Sequence, residues 1–191
     1  GQPLVSLAGR ARSDGNVIEV DSVRADLDGA PAVEAHGRLP VRVEPARRWR
    51  VTETEQGGEA RFDLRVFEKG PLWTQVEQRL GVKVQSPSLR LTVQGHVPEV
   101  RGNLAFHAAR VVPVSVQTNA VFTAPTLDEV RVNATLGLPG LTVRDASARV
   151  LGQPVVANGQ WDIAAEDWTT WLEALRHPDW RRLSGRLRME Q

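Results

Sequence analysis

The feature that most restricts this chain is strict two-residue alternation of apolar and polar side chains, carried through many short segments. From Val33 the apolar set runs Val33, Ala35, Gly37, Leu39, Val41 and Val43, while Glu34, His36, Arg38, Arg42 and Glu44 occupy the other parity. Successive side chains of a β-strand point to opposite faces, so this pattern predicts a long strand with one buried face. At about 3.3 Å per residue, eleven such residues span roughly 36 Å. Pro40 falls on the polar parity and suggests an edge strand or a bulge, because it has no N–H to give to a ladder.

The same signal recurs down the chain. Phe62, Leu64 and Val66 alternate with Arg61, Asp63 and Arg65, and Leu89, Leu91 and Val93 alternate with Arg90, Thr92 and Gln94. Further segments carry Val112, Val114 and Val116, then Ala120 and Phe122, then Val130, Val132, Ala134, Leu136 and Leu138. Turn-forming stretches separate them: "SDGN" at 13–16, "QGG" at 56–58 and "LPG" at 138–140. At Val20–Val23 the apolar parity flips, which a bulge explains.

A Gly-polar-apolar step repeats at Gly9-Arg10-Ala11, Gly37-Arg38-Leu39, Gly102-Asn103-Leu104, Gly159-Gln160-Trp161 and Gly185-Arg186-Leu187. Glycine inside a strand marks a bend or the close approach of a neighbour, so five of them predict a curved, repeating sheet. A longer echo links "RFDLRVFEKGPLWTQVEQRLG" to "QWDIAAEDWTTWLEALRHP", with Asp63 and Asp162 in matching places. It suggests internal repeats of about 1–83 and 84–191 within a single β-rich domain.

Two segments break the alternation with helical spacing. In "GPLWTQVEQRLG" Leu72, Val76 and Leu80 fall at i, i+4 and i+8 with Trp73 beside them; Pro71 suits the first helical position and Gly81 the C-terminal cap. In the second, Trp168, Trp171, Leu172 and Leu175 form one apolar face, Glu166 and Asp167 lie near its start, Arg176 and His177 near its end, and Pro178 stops it. Helices are expected at 71–80 and 165–176, as lids made of Trp73, Val76, Leu80, Trp168, Trp171, Leu172 and Leu175. The polar face of the second offers Asp167, Thr169, Thr170 and Glu173 rather than Lys or Arg, which argues against an anchor on anionic membranes.

The expected fold is therefore mainly β: a curved, twisted antiparallel sheet, groove-like or sandwich-like, capped by two short amphipathic helices. With 24 Lys and Arg against 23 Asp and Glu, the chain has no surplus charge to hold a nucleic acid. It has no cysteine, so thiolate nucleophiles and disulfides are excluded. His36, His96, His107 and His177 lack metal-ligand spacing, and no nucleophile elbow or phosphate-binding glycine loop occurs. Asp63 and Asp162 share one repeat context and read as structural; "ARRWR" at 46–50 reads as solvated strand charge. The reading is of no enzyme, no cofactor and no metal.

The stretch "LDEVRVNATLGLPGLTVRDASARVLGQPVVANGQWDI" (127–163) and then "LSGRLRM" (183–189) resembles bacterial AsmA-like proteins, the group that includes TamB and YhdP. That resemblance covers most of the chain and rests on steps of the type V-x-G-x-L and A-x-G-x-W. It implies a repeating β-groove that carries phospholipid acyl chains across the periplasm, within a longer protein anchored in the inner membrane and acting in intermembrane lipid transport or outer-membrane biogenesis. Two helices, no visible anchor and tryptophan-rich caps depart from the family pattern.

The apolar parity supplies the groove lining expected on this reading: Val33, Ala35, Leu39, Val41, Leu89, Leu91, Val93, Val112, Val114, Val116, Val130, Val132, Ala134 and Leu136. The opening "GQPLVSLAGRAR" reads as the middle of a strand, so a piece of a longer protein is expected, with further repeats or envelope proteins as partners. The same residues would also make the closed core of a β-sandwich, and the alternative function is a non-catalytic structural or protein-interaction module of an envelope complex.

Overall fold

The computed structural model describes residues 4–14, 17–40, 58–96, 100–114, 125–137, 140–162 and 183–189. Strands take up 77% of them, in one curved, unclosed antiparallel sheet. Its strands are β1 (Val5–Ser13), β2 (Ile18–Leu27), β3 (Ala30–Leu39), β4 (Glu59–Val66), β5 (Val82–Gln85), β6 (Ser88–His96), β7 (Arg101–Pro113), β8 (Leu127–Gly137), β9 (Gly140–Val150), β10 (Gln153–Asp162) and β11 (Leu183–Met189). The order is β1-β2-β3-β4-β6-β7-β8-β9-β10-β11; β5 pairs off this path with the last residues of β7, Val82 with Pro113 and Gln85 with Arg110. Ten strands at about 4.8 Å spacing give roughly 43 Å of sheet contour.

Local chemistry explains the connections. Asp14 accepts the Val17 N–H on its Oδ1 at 2.8 Å, closing the β1–β2 hairpin within "SDGN". Asp28-Gly29 (φ 52° and 80°) joins β2 to β3 and Leu151-Gly152 (φ 50° and 82°) joins β9 to β10. Two successive positive φ values are what a two-residue hairpin needs to follow the right-handed twist of its strands. The Asp-Gly pair was open to recognition in the sequence; Leu at the first position of such a turn was not.

The helix α1 (Pro71–Leu80) has the expected limits, with Pro71 in its first turn and Gly81 in the left-handed conformation at φ 64°. Its burial corrects the spacing argument. Trp73 is the buried residue, 7% exposed, whereas Leu80 is 69% exposed. Eight residues at 3.6 per turn rotate Leu80 about 80° from Leu72, enough to carry it off the sheet. The Trp73 indole Nε1 donates to the Phe67 carbonyl at 2.9 Å, and its ring lies 5.8 Å from that of Phe106. The second expected helix, at 165–176 with Trp168, Trp171, Leu172 and Leu175, lies outside the described residues, as do "ARRWR" and His177.

Two further expectations need correction. Pro40 marks neither an edge nor a bulge: β3 is an interior strand that ends at Leu39, immediately before the proline removes a ladder donor. Val112 and Val114 do not start a strand of their own. Val112 belongs to the end of the thirteen-residue β7, and Val114 follows that strand, 43% exposed, with its N–H donated to the Gly81 carbonyl at 2.8 Å. The parity flip at Val20–Val23, by contrast, is a bulge: the register of β2 shifts against β3 between those residues, and Asp21 is left over against β1.

Among the described elements no second sheet lies face to face with the first. Substantial contacts run only between hydrogen-bonded neighbours, and from α1 to β3 and β5. The sandwich-like form of the expected fold is therefore not seen here.

Candidate functional site

Cross-strand register turns the separate alternations into one surface. Reading Cα partners from β1 to β11, the first row is Leu7, Ala25, Val33, Val66, Leu89, Phe106, Val132, Ala146, Ala157 and Leu187. A second row is Gly9, Val23, Ala35, Leu64, Leu91, Leu104, Ala134, Val143, Gly159 and Gly185. The third is Ala11, Val20, Gly37, Phe62, Val93, Gly102, Leu136, Leu141, Trp161 and Leu183. All thirty positions are apolar or glycine. A one-residue slip would put a strand's polar set on this face, so the rows also fix the pairing register.

Bulges keep the rows intact where the sequence changes parity. In β9, Val143 and Ala146 have opposite parity, yet both join the apolar rows because the pairing with β8 and β10 shifts between them. Without such shifts one of the two would face the polar side.

The five repeated glycines all fall on this face, and the space beside them is filled. A Cβ on Gly9 would stand 2.7 Å from the Ser22 carbonyl oxygen, one on Gly159 2.9 Å from that of Ser184, and one on Gly185 2.7 Å from that of Asn158. At Gly37, where φ is +153°, it would run into the Arg61 carbonyl and come within 2.7 Å of the Phe62 Cα. Gly102 instead takes the side chains of Leu91 and Leu136, at 3.2 and 3.3 Å. In a flat sheet the neighbouring backbone lies in the sheet plane and Cβ points out of it. A neighbour's carbonyl this close to the Cβ position means that the strand is swung toward the apolar side. The sheet thus bends over its apolar face at β1/β2, β3/β4 and β10/β11.

Burial along the rows is graded rather than complete. Ala35, Val66, Ala134, Leu136 and Trp161 are buried, while Val33, Phe62, Leu64, Leu89, Leu91, Val93, Leu104, Phe106 and Val132 are half-buried. Among the described residues only the small side chains of Ala60 and Ala108 are fully buried, and no large one is. Helix α1 meets the middle of the first row, where Trp73 lies against Phe106.

Of the expected lining, Val33, Ala35, Leu89, Leu91, Val93, Val132, Ala134 and Leu136 stand in the three rows. Leu39 pairs with Ile18 at one margin, Val130 pairs with Ala108 at the other, and Val112 sits opposite Lys83 of β5. Val114 is exposed past the end of β7, and Val41 and Val116 lie outside the described residues. Leu104 and Phe106 were missed as lining residues although "NLAFHA" alternates; Ala105 on the polar parity blurs that signal. Leu141, Val143 and Ala146 were missed because the bulge in β9 hides their common face, and Trp161 was missed although Val155, Ala157, Gly159 and Trp161 alternate in β10.

The opposite face is polar. Arg90 stands opposite Arg65, a like-charge pair, and turns diagonally to Asp63, donating from Nε at 2.9 Å and from Nη2 at 2.5 Å. The Asp63 hydrogen bond and charge hold the Arg90 guanidinium above its ordinary pKa. Asp63 thus has a structural partner; Asp162, at the last position of β10, closes the Gly140 pair. His36, His96 and His107 are exposed on strands. A hollow of about 570 Å³ opens on this side where Ser88 and Ala105 are flanked by longer side chains. Its Glu34, Asp63 and Glu68 balance Arg65, Arg90 and Arg131, so it offers no net field to select a charged ligand. Among the described residues, no three of His, Cys, Asp and Glu gather where a metal could be held, and no helix is long and apolar enough to cross a membrane.

The chain significantly matches no family model, no curated protein and no solved structure.

Proposed function

We propose that this chain is a segment of a bacterial envelope protein of AsmA-like type, whose apolar face holds phospholipid acyl chains during intermembrane lipid transport or outer-membrane biogenesis. The observation that carries this reading is the in-register apolar face: three rows across ten strands, bent over themselves, half-buried and without a second sheet among the described elements. A sheet with one apolar face must cover it with something, and a long curved face of this kind suits flexible hydrocarbon chains lying across the strands. Its partners on this reading are phospholipid acyl chains and further repeats of a longer periplasmic protein anchored to the inner membrane. No catalytic step is involved.

The test is lipid content. Protein purified from a bacterial host is measured by native mass spectrometry and by solvent extraction, alongside Leu91→Asp and Leu104→Asp, both in the middle row. The expected result is phospholipid with the parent and its loss from variants that keep a strand-dominated circular dichroism spectrum. A lipid-free parent, or folded variants holding as much lipid as the parent, would refute it.

The second reading is a non-catalytic structural or protein-interaction module. It is favoured by the bounding strands, where Leu7 is 73% and Leu187 71% exposed. On that reading Leu91→Asp unfolds the protein, since the face is then a closed interior in which a lone carboxylate has no partner.

A further inference from the structure

A hollow of about 510 Å³ lies on the polar face where β9, β10 and β11 run side by side. Thr142, Gln160 and Ser184 face one another across it in register. Asn158 stands opposite Arg186 on one side, and on the other falls within the β9 bulge that holds Arg144. These six residues are exposed, and each carries a side-chain hydrogen-bond donor. Among the described residues no carboxylate lines the hollow.

The bulge produces this arrangement. Val143 and Ala146 both serve the apolar rows, so the shift between them leaves Arg144 and Asp145 on the polar side. Asp145 pairs with Asn133 of β8, whose Nδ2 donates to Asp145 Oδ2 at 2.8 Å. The acid next to Arg144 is thus turned away from the hollow, and Asp162 stands one row further on, opposite Gly140. Arg12, Arg24, Arg90, Arg110 and Arg149 each hold a carboxylate, whereas Arg144 and Arg186 enter no ion pair among the described residues. Their strands flank β10 and so lie about 9.6 Å apart. Side chains as long as arginine can close from there on one tetrahedral oxyanion above Asn158, each offering a two-pronged fork. With no anion between them the two positive charges only repel.

We infer that this hollow binds a phosphate group carried on a hydroxylated ligand, with Arg144 and Arg186 gripping the phosphate. The hydroxyls of Thr142 and Ser184 and the amides of Asn158 and Gln160 meet the hydroxyl groups of the carrier, since each can both donate and accept. Soluble phosphate monoesters and the phosphoglycerol headgroup of a lipid share this chemistry. The site does not depend on what occupies the apolar face.

The test is isothermal titration calorimetry of the whole chain with inorganic phosphate and with glycerol 3-phosphate. Flotation with phosphatidylcholine vesicles, with and without phosphatidylglycerol, runs beside it. Glycerol 3-phosphate should bind more tightly than inorganic phosphate, and Arg144→Gln and Arg186→Gln should each weaken it about tenfold. Both arginines are exposed, so these variants should keep the parent's melting temperature without ligand. Arg61→Gln removes the same charge from an exposed position of β4 on the same face and should leave binding unchanged. Flotation that requires phosphatidylglycerol and is lost in Arg186→Gln assigns the ligand to a lipid headgroup; titration without flotation assigns it to a soluble ester. A parent that neither binds glycerol 3-phosphate nor floats overturns the inference. So does binding that survives both variants, or that falls equally in Arg61→Gln, or inorganic phosphate that binds as tightly as the ester.

Discussion

Trp73 is the side chain on which the docking of α1 most depends, and Trp73→Ala gives a sharp test of that. A tryptophan buries about 150–250 Å², worth about 4–6 kcal/mol at 25 cal/mol per Å². Residual compactness of the unfolded chain trims such figures by roughly 10–40%, leaving about 3–5 kcal/mol, the range of measured Trp→Ala losses. At 7% exposure Trp73 realises nearly all of this. Two specific contacts contribute to it: the 2.9 Å hydrogen bond to the Phe67 carbonyl, net about 1 kcal/mol, and the tilted pairing with Phe106, about 0.5–1.5 kcal/mol. Trp73→Phe keeps the ring contact and removes the donor, so it should cost about 1–2 kcal/mol and leave the Phe67 carbonyl with the Gly70 N–H as its remaining donor. The assay is urea unfolding followed by far-ultraviolet circular dichroism, which does not rely on tryptophan emission. Leu80→Ala on the same helix is the control; at 69% exposure it should change stability by under about 0.5 kcal/mol. If Trp73→Ala cost under about 1 kcal/mol, or no more than Leu80→Ala, α1 would not be held to the sheet through this residue.

Other consequences are as direct. Gly37→Ala should cost more than about 2 kcal/mol in the same denaturation assay, because its Cβ meets the Arg61 backbone and its φ is +153°; Gly29→Ala, at φ +80° with open space around it, should cost only about 1 kcal/mol. A smaller loss at Gly37 than at Gly29 would contradict the close approach of β3 and β4. Val114→Asp should be tolerated within about 0.5 kcal/mol while Leu91→Asp is not neutral, and equal melting curves for the two would undo the assignment of Leu91 to the apolar face. Asp63→Asn removes an ion pair whose Arg90 partner is well exposed, so its effect should stay below about 1 kcal/mol and shrink with added salt. A larger, salt-independent loss would give Asp63 a role beyond pairing with Arg90.

Much of this fold is legible in the chain because strand formation here is written in a local code. Two-residue alternation announced β3, β4, β6 and β8, and Pro71 with Gly81 announced α1 to the residue. The repeated glycines announced close approach, since a missing side chain within a strand has few other uses. What alternation cannot express is adjacency. Every strand carries the same parity rule, so nothing local states that β5 lies beside β7 rather than β6, or that "LAFHAARVVP" is one strand with "RGN". Bulges are equally non-local: Val143 and Ala146 look like opposite faces until pairing with β8 and β10 absorbs the extra residue. Helical spacing nominated Leu80 and Trp73 alike, and only the position of the sheet chose Trp73. The sequence by itself determined which residues are apolar-facing within each regular, unbulged strand, because that depends on backbone geometry over two or three residues. Tertiary structure alone decided that those faces join into three unbroken rows, because register and curvature come from hydrogen bonds between segments far apart in the chain.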